Sequence, residues 1–282
     1  MQYVLITGVS SGIGNHLLKD LHQKGYFVFG SVRKEADAAR LRSEYESRFQ
    51  PLVFDVTDGE AIALAVPKVA ETLNGQPLTA LINNAGIAVS GPLQYIPMEK
   101  VRLQFDVNVI GVVQVTQAFL PMLGAVENFQ GSPGRIINIS SISGLLTAPY
   151  TALYSASKFA LESLTDGYRR ELKDFGIEAI SIQPGPIKTP IWGKVESLQG
   201  DYSKTPYASV FNKIDKYLHE VEAGALPPAE VAKAVHKALM QPKPKTRYTV
   251  AKAGGIIRLI SNIFPARWVD NITISNLKKR LS

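Results

Sequence analysis

The stretch YVLITGVSSGIG, residues 3–14, places an apolar run of strand length directly before three closely spaced glycines. Gly8 permits a tight turn off the strand, Gly12 lets the backbone approach a pyrophosphate, and Gly14 allows close contact between the strand and the helix that follows. Free N–H groups at the start of a helix favour phosphates, so the trio favours a dinucleotide-binding loop over a plain tight turn. The loop residues expected to contact the ligand are Gly8, Ser10, Ser11, Gly12, Ile13 and Gly14.

Strand-length apolar runs alternate with helix-length amphipathic runs over most of the chain. This alternation predicts βαβ units, because parallel strands need crossover connections that place helices on both faces of the sheet. We therefore expect an α/β fold, a Rossmann-like doubly wound sheet of about seven parallel strands. The predicted strands are Tyr3–Thr7, Phe27–Val32, Leu52–Asp55, Ala80–Asn84, Arg135–Ser140, Glu178–Gln183 and Arg247–Ala251. The predicted helices are Asn15–Lys24, Ala36–Ser47, Glu60–Leu73, Met98–Leu123, Ala152–Phe175, Ser209–Val221 and Pro227–Met240.

A chain of 282 residues can bury one large core, and we expect a single domain over residues 1–282. Residues 190–225 begin with a Pro-, Gly- and polar-rich stretch, which predicts a substrate lid. Residues 254–282 predict a helical tail of high apolar content. We expect the tail to pack on the core or on a second copy of the chain, and a peripheral membrane contact is the alternative.

Composition excludes several classes of protein. The chain has no cysteine, so it forms no disulfides, which fits a cytoplasmic location. Its formal net charge is +7, but the basic residues are scattered, so nucleic-acid binding is not expected. We expect neither a secretory signal nor a transmembrane segment. The four histidines have neither metal-ligand spacing nor a link to a serine, so no metal site is expected.

The end of the second predicted strand carries two cations and no acid. In a dinucleotide-binding half, an acid here binds the ribose hydroxyls, whereas an arginine neutralises a 2′-phosphate. Arg33 and Lys34 hold this position. Because a cation gains far more beside a dianionic phosphate than beside a neutral ribose, the sequence favours NADP(H) over NAD(H). A solvated helix start is the other interpretation of these two residues.

Tyr154 and Lys158 are four residues apart in a predicted helix, so they share one face. Such a pair occurs on many helix surfaces and is weak evidence alone. Ser141 follows the fifth predicted strand, where the carboxyl edge of a parallel sheet faces a ligand crevice. A phenol with the ordinary pKa of about 10 is a poor acid–base catalyst near neutrality, and a nearby ammonium would lower that pKa. We therefore expect a joint acid–base site at these three residues.

Six motifs in one order resemble the short-chain dehydrogenase/reductase family, strongly over about residues 1–190. They are Thr7-Gly8-x-x-x-Gly12-x-Gly14, Asn83-Asn84-Ala85-Gly86, Asn108, Ser141, Tyr154-x-x-x-Lys158 and Pro184-Gly185. The resemblance implies a Rossmann-type fold, an NAD(H) or NADP(H) cofactor and an Asn-Ser-Tyr-Lys tetrad. It also implies assembly into a homodimer or homotetramer.

The resemblance implies a role for each member of the tetrad. Tyr154 is the proton donor in carbonyl reduction and the acceptor in alcohol oxidation. Lys158 lowers the pKa of that phenol and holds the nicotinamide ribose, while Ser141 binds the substrate oxygen. Asn108 bends its helix and positions a water. The further cofactor contacts implied are Asp55, Val56, Asn84, Ala85, Gly86, Pro184, Gly185, Ile187 and Thr189.

The expected substrate is a small molecule with a carbonyl or alcohol group. Residues expected near it, besides Ser141 and Tyr154, are Ser143, Leu145, Tyr150 and Trp192. Their apolar character favours a lipophilic substrate of steroid, retinoid or fatty type. A non-catalytic dinucleotide-binding redox sensor and a sugar-nucleotide epimerase or dehydratase are the alternatives, and the intact tetrad argues against the sensor.

Overall fold

The structure is a computed structural model that describes residues 1–189, 200–252, 254–255, 257 and 263–281. Its centre is a seven-stranded sheet. The strands are β1 Tyr3–Ile6, β2 Phe27–Val32, β3 Phe49–Val53, β4 Leu78–Asn83, β5 Arg135–Ile139, β6 Glu178–Pro184 and β7 Arg247–Val250. They lie in the order β3-β2-β1-β4-β5-β6-β7, and every pairing is parallel. The expected doubly wound parallel sheet is thereby confirmed.

Helices cover both faces of the sheet. The helices are α1 Gly12–Gln23, α2 Glu35–Glu44, α3 Gly59–Leu73, α4 Met98–Phe105, α5 Gly111–Leu123, α6 Ala152–Glu171, α7 Ala208–Phe211, α8 Ile214–Ala223, α9 Pro228–Met240 and α10 Ala266–Leu281. Because successive strand residues point to opposite faces, Val4 and Ile6 pack against α1, α2 and α9, whereas Leu5 packs against α3 and α5. Short 3₁₀ turns occupy Leu93–Tyr95, Ile142–Gly144 and Lys173–Phe175.

The third strand differs from its predicted bounds. It was expected at Leu52–Asp55 and runs instead from Phe49 to Val53, so that Asp55 lies in the loop beyond it. The reason is that β3 is an edge strand. Proline is tolerated at a sheet edge, and Pro51 pairs there with Gly30 of β2.

The run Met98–Leu123 is helical throughout but contains a π-helical turn at Asp106–Ile110 between α4 and α5. By length and composition this run is able to cross a membrane, with a mean hydropathy of 1.3 in its most apolar window. The core helix of a soluble protein meets the same criteria, so the expectation that the chain has no transmembrane segment stays a prediction. In the fold, however, Val115, Phe119 and Leu123 are fully buried against the sheet, as in the core helix of a soluble protein.

The predicted lid and tail are only partly described. Residues 190–199 lie outside the described residues, while residues 200–225 form turns and two short helices, α7 and α8. The single helix predicted at Ser209–Val221 is thus divided in two. In the tail, α10 forms as expected, and it packs partly against α8.

Two leucine substitutions test where the core lies. Leu18 of α1 is fully buried in the cluster on one face of the sheet, whereas Leu64 of α3 is 68% exposed. Leu18→Ala is expected to lower the free energy of unfolding by about 2–5 kcal/mol, because it leaves a cavity. Leu64→Ala should change it by no more than about 0.5 kcal/mol. Urea denaturation of both variants checks this, and equal effects would contradict the burial described.

Candidate active site

A cleft of about 410 Å³ opens at the carboxyl ends of the parallel strands, where the strand order reverses between β1 and β4. Ligands of open α/β sheets bind at such a position. Most of the site residues predicted from the sequence line this cleft. They are Gly8, Ser10, Ser11, Gly12, Ile13, Arg33, Asp55, Val56, Asn84, Ala85, Gly86, Ser141, Ser143, Tyr154, Lys158, Pro184, Gly185, Ile187 and Thr189.

The glycine loop has the geometry that its sequence predicts. Gly8 and Gly12 adopt φ values of +73° and +64°, in the region that favours glycine. Gly14 does not line the cleft. A Cβ there would overlap the carbonyl oxygen of Gly8 and the side-chain nitrogen of Asn84. Glycine at this position therefore allows the first turn of α1 to pack closely against the β1–α1 turn. The close contact of Gly14 is therefore with the turn and not with the strand.

Side-chain hydrogen bonds fix this turn to the neighbouring strands. The Asn84 Nδ2 donates to the carbonyl oxygens of Thr7 at 2.8 Å and Gly8 at 3.1 Å. In return, Thr7 Oγ1 accepts from the backbone N–H groups of Asn84 and Ala85 at 2.9 and 3.0 Å. The Gly8 N–H donates to Ser31 Oγ of β2 at 3.0 Å. Ser31 was not identified from the sequence, since a buried strand serine carries no distinctive signal.

Cations lie beside the cleft at the end of β2. The Arg33 side chain is 69% exposed, and its Nη1 is 3.9 Å from Asp55 Oδ2. Asp55 also accepts hydrogen bonds from the Thr57 N–H and Oγ1. A second arginine, Arg40 of α2, was missed by the sequence reasoning, and its Nη2 donates to the carbonyl oxygen of Ser10 at 3.1 Å. Lys34 is the N-cap of α2 and is not part of the cleft lining.

The segment after β6 forms the opposite wall of the cleft. Ile187 is buried and forms a parallel bridge with Leu226, which anchors the segment to the chain before α9. Thr189 lies across from the glycine loop, because a Cβ on Gly12 would be 3.6 Å from the Thr189 Cβ. The cleft therefore has the glycine loop on one side and residues 184–189 on the other.

Ser141, Tyr154 and Lys158 converge inside the cleft. Ser141 Oγ accepts from the Ser143 N–H at 3.0 Å and lies 3.4 Å from the Pro184 carbonyl oxygen. Lys158 is 5% exposed, and its Nζ donates to the carbonyl oxygen of Ile139 at 2.9 Å. The same Nζ is 5.7 Å from the centre of the Tyr154 ring. The helix spacing and the strand end thus bring together the three groups expected to meet.

Burial moves the pKa values of the two titratable groups in opposite directions. Desolvation raises the pKa of Tyr154, and a hydrogen bond with Ser141 partly opposes it. This differs from the expected lowering by the lysine, since the ammonium is bonded to Ile139 and not to the phenol. Desolvation lowers the pKa of Lys158 to about 8, against the attraction of the Glu162 carboxylate, which raises it.

Glu162 belongs to a buried charge network that sequence reasoning missed. Its side chain is 8% exposed. It accepts one hydrogen bond from Arg247 Nε at 2.9 Å and another from Ser181 Oγ. Arg247 Nη2 also pairs with Asp166 at 2.8 Å. An acid four residues after Lys158 was the available signal, although such spacing is common. Its partner arginine lies in β7, a contact that the local sequence does not predict.

Asn108 lies in the π-helical turn, adjacent to the cleft without lining it. Its Oδ1 accepts from the Ile87 N–H at 2.9 Å, and its Nδ2 donates to the Ile87 carbonyl oxygen and to Ser157 Oγ. Gln104, one turn earlier, also binds Ile87 and Ser157, and it accepts from the Val89 N–H at 2.7 Å. The two amides fix the segment after β4 to α6.

The residues predicted to contact the substrate lie in different places in the structure. Ser143 lines the cleft, whereas Tyr150 lines a separate cavity beside it. Leu145 is half-buried and is not part of the cleft lining, and Trp192 lies outside the described residues. Leu218 of α8 also lines the cleft, which places the segment after residue 200 over the site.

The residues of the cleft fit a dinucleotide cofactor. The hydroxyl of Ser140 is buried, lines the cleft and has no hydrogen-bond partner within the described part of the chain, so it is available to a ligand. On the loop side, the backbone at Gly12 is not shielded by a side chain. Across the described residues, no cluster of three or more His, Cys, Asp or Glu side chains could hold a metal ion.

Comparison with known proteins agrees with this geometry. Residues 2–200 match the family model described as short chain dehydrogenase. The chain is 42% identical over 279 residues to the NADPH-dependent 3-dehydrocapnine reductase of Ornithobacterium rhinotracheale, covering 99% of this chain and 98% of that one. It is 35% identical to the 17-beta-hydroxysteroid dehydrogenase type 6 of Bos taurus, covering 88% and 80%.

A solved short-chain dehydrogenase from Streptomyces avermitilis superimposes with a TM-score of 0.76 at 26% identity, covering 99% of this chain and 95% of that one. The parallel sheet, the cleft at its switch point and the family match over most of the chain lead to one assignment. The chain belongs to the short-chain dehydrogenase/reductase family of NAD(P)-dependent oxidoreductases.

Proposed function

We propose that this protein is an NADP(H)-dependent oxidoreductase that interconverts a lipophilic ketone and its alcohol, with Tyr154 as the acid–base group. The observation that carries the proposal is the convergence of Ser141, Tyr154 and Lys158 in the cleft that the glycine loop also lines. A phenol, a hydroxyl and an ammonium at the open end of a dinucleotide site can protonate and orient a carbonyl oxygen.

In reduction, the substrate carbonyl oxygen accepts hydrogen bonds from the Ser141 and Tyr154 hydroxyls. NADPH supplies, when bound, the hydride that adds to the carbonyl carbon. The Tyr154 proton goes to the oxygen and completes the alcohol, and the nearby Lys158 ammonium stabilises the phenolate that remains. Because burial raises the pKa of Tyr154, the phenol is protonated at neutral pH, as a proton donor must be.

The preference for NADP(H) rests on the cations at the end of β2. Arg33 lines the cleft, and Arg40 reaches the Ser10 carbonyl oxygen of the glycine loop. Both guanidinium groups can approach a 2′-phosphate on the adenosine ribose, where each charge-assisted hydrogen bond is favourable. The 42% identical relative is named as NADPH-dependent, which supports this preference.

The substrate class is inferred from the cleft walls and the relatives. Apolar groups of Val107, Ile142 and Leu218 line the cleft near the tetrad. One relative is named for 3-dehydrocapnine and another for a hydroxysteroid. A steroid is lipophilic, and the apolar groups of the cleft wall suit such a substrate, so a fatty or steroid-like ketone fits the site better than a sugar or an amino acid.

The proposal includes a cytoplasmic homodimer or homotetramer built from one domain. The absence of cysteine from the sequence supports a reducing compartment. Large apolar side chains are exposed on the long helices, including Leu103 at 42%, Ile110 at 48% and Phe159 at 43%. Exposed apolar groups on neighbouring helices favour a contact with a second copy. Light scattering after size-exclusion chromatography distinguishes monomer, dimer and tetramer.

Removal of the Tyr154 hydroxyl tests the function directly. Tyr154→Phe is expected to reduce kcat for ketone reduction by about 10²–10⁴-fold, because the proton donor is lost, while NADPH still binds. NADPH oxidation over a panel of lipophilic ketones measures turnover, and fluorescence titration measures binding. Tyr95→Phe, outside the cleft lining, is the matched control and should retain wild-type turnover. NADPH binding by the wild type without turnover of any ketone would favour the redox sensor instead.

Substitution of Arg33 tests cofactor selection. Arg33→Ala should raise the KM for NADPH by about tenfold or more and leave the KM for NADH nearly unchanged, because the lost guanidinium binds only the 2′-phosphate. Initial rates with each cofactor give the two values. Arg42→Ala, an exposed arginine on α2 outside the cleft lining, should behave like the wild type. A parallel loss with both cofactors would assign Arg33 a general structural role.

The alkaline limit of reduction is expected to follow Lys158. With a pKa of about 8, the lysine loses its charge before Tyr154 does, so kcat/KM for NADPH should fall as the pH rises through about 8. Glu162→Gln removes the carboxylate that raises this pKa, so the fall should begin at lower pH. Glu171→Gln, an exposed acid on the same helix, should leave the profile in place. An unshifted profile in Glu162→Gln would refute the electrostatic role of Glu162.

A further inference from the structure

A second cavity of about 340 Å³ lies beside the active-site cleft. It is an open groove lined by the chain after β4, the loop before α6, a residue before α7 and one face of α10. We call this space the tail groove. Its apolar and aromatic lining includes Pro92, Leu93, Pro149, Tyr150, Tyr207 and Ile274, and Thr147, Asp270 and Thr273 add polar groups.

The tail groove and the cleft are separated by a wall one residue thick. Ser90 lines the cleft, and the next residue, Gly91, lines the groove. In the same way, Thr151 lines the cleft, whereas Tyr150 and Ala152 on either side of it line the groove. The two halves of the wall are joined by a hydrogen bond from the Gly91 N–H to the Tyr150 carbonyl oxygen at 2.8 Å. Consecutive Cα atoms are about 3.8 Å apart, so the linings of the two spaces are adjacent at both places.

Backbone strain marks the residue at the centre of this wall. Tyr150 has a φ of +64°, a conformation that is rare for a bulky side chain. The rings of Tyr207 and Phe211 hold it there, each in an edge-on contact, with ring centres 6.0 and 5.3 Å from that of Tyr150. Such strain persists only where the surroundings enforce it and is concentrated at ligand sites. The wall is thus held in place by aromatic residues 207 and 211.

The last helix closes the groove with one face only. Val269 and Thr273, four residues apart, are half-buried and line it. The neighbouring Trp268 and Ile272 are 62% and 42% exposed and do not line it. The groove therefore depends on the half of the α10 surface that includes Thr273.

We propose that the tail groove binds the alkyl tail of the ketone whose carbonyl is held at Tyr154. The inference rests on the proposed function. A mostly apolar lining suits a hydrocarbon chain, and the volume is within the range of ligand pockets. Because the two linings are only one residue apart, the groove lies close enough to the cleft to receive the far end of a substrate that extends past the wall. The headgroup and carbonyl then lie in the cleft, while the tail lies between α10 and Tyr150.

A homologous series of straight-chain ketones tests the proposal. In the wild type, each further methylene that enters the groove should lower KM by about fourfold, until the groove is full. Thr273→Trp fills the groove, so it should abolish this gain for long ketones and leave short ketones unaffected. Ile272→Trp adds the same ring to the exposed side of α10 and should follow the wild type. Leu93→Trp, from the opposite wall, provides a second filled groove if Thr273→Trp does not fold.

Several results would overturn the proposal. One is the same chain-length dependence in the filled variants as in Ile272→Trp, and another is an equal loss for short and long ketones. Dissociation of an oligomer by Thr273→Trp, with no change specific to long ketones, would assign the groove to a second copy of the chain. Calorimetric measurement of the binding of the same ketones distinguishes a failure of the proposed groove from a failure of the proposed reaction. Chain-length-dependent binding without any turnover would contradict the proposed reaction and support the groove.

Discussion

The close approach of the β1–α1 turn to the end of β4 is the constraint on which the site depends. At Gly14 the carbonyl oxygen of Gly8 and the amide of Asn84 occupy the volume that any side chain would need. Across this junction Asn84 and Ala85 donate four hydrogen bonds, three to Thr7 and one to the Gly8 carbonyl oxygen. Since β1 and β4 are the strands at which the order of the sheet reverses, the same contact that joins the two halves also shapes the glycine loop.

A buried cation is the second determinant of the site. Taking the Lys158 ammonium out of water is unfavourable, and its compensation comes from the Ile139 carbonyl oxygen and the Glu162 carboxylate. Glu162 also forms an ion pair with Arg247 of β7, and this guanidinium neutralises the carboxylate that attracts the lysine. The pKa of Lys158 is therefore about 8, while burial raises the pKa of Tyr154 and keeps its phenol protonated. A charged lysine beside a protonated tyrosine suits a site that donates a proton to a carbonyl oxygen.

Much of the fold could be predicted from local patterns in the sequence, and much of the lining of the cleft from those patterns together with the resemblance to a known family. Apolar alternation marked each strand, and the glycine loop and the ends of β4, β5 and β6 follow those strands directly. Glu162, Gln104 and Arg40 were missed because their roles depend on partners that only the tertiary fold brings near. The N-terminal end of β3 was missed because Pro51 in the sequence suggests the end of a strand, whereas an edge strand tolerates a proline. Tyr150 was predicted to lie near the substrate. In the structure Thr151 lines the cleft, whereas Tyr150 lines a separate cavity beside it.

The ion pairs of Arg247 connect the last strand of the sheet to the helix that carries Tyr154 and Lys158. During synthesis the chain emerges from its N-terminus, and α6 is complete long before β7 exists. Until then, Glu162 lacks its guanidinium partner, whereas Asp166 can already pair with Arg169 and Arg170 of its own helix. The helix that carries Tyr154 and Lys158 is therefore synthesised before the arginine that neutralises its buried acid. The final electrostatic state of the site is reached only when the seventh strand is added to the edge of the sheet.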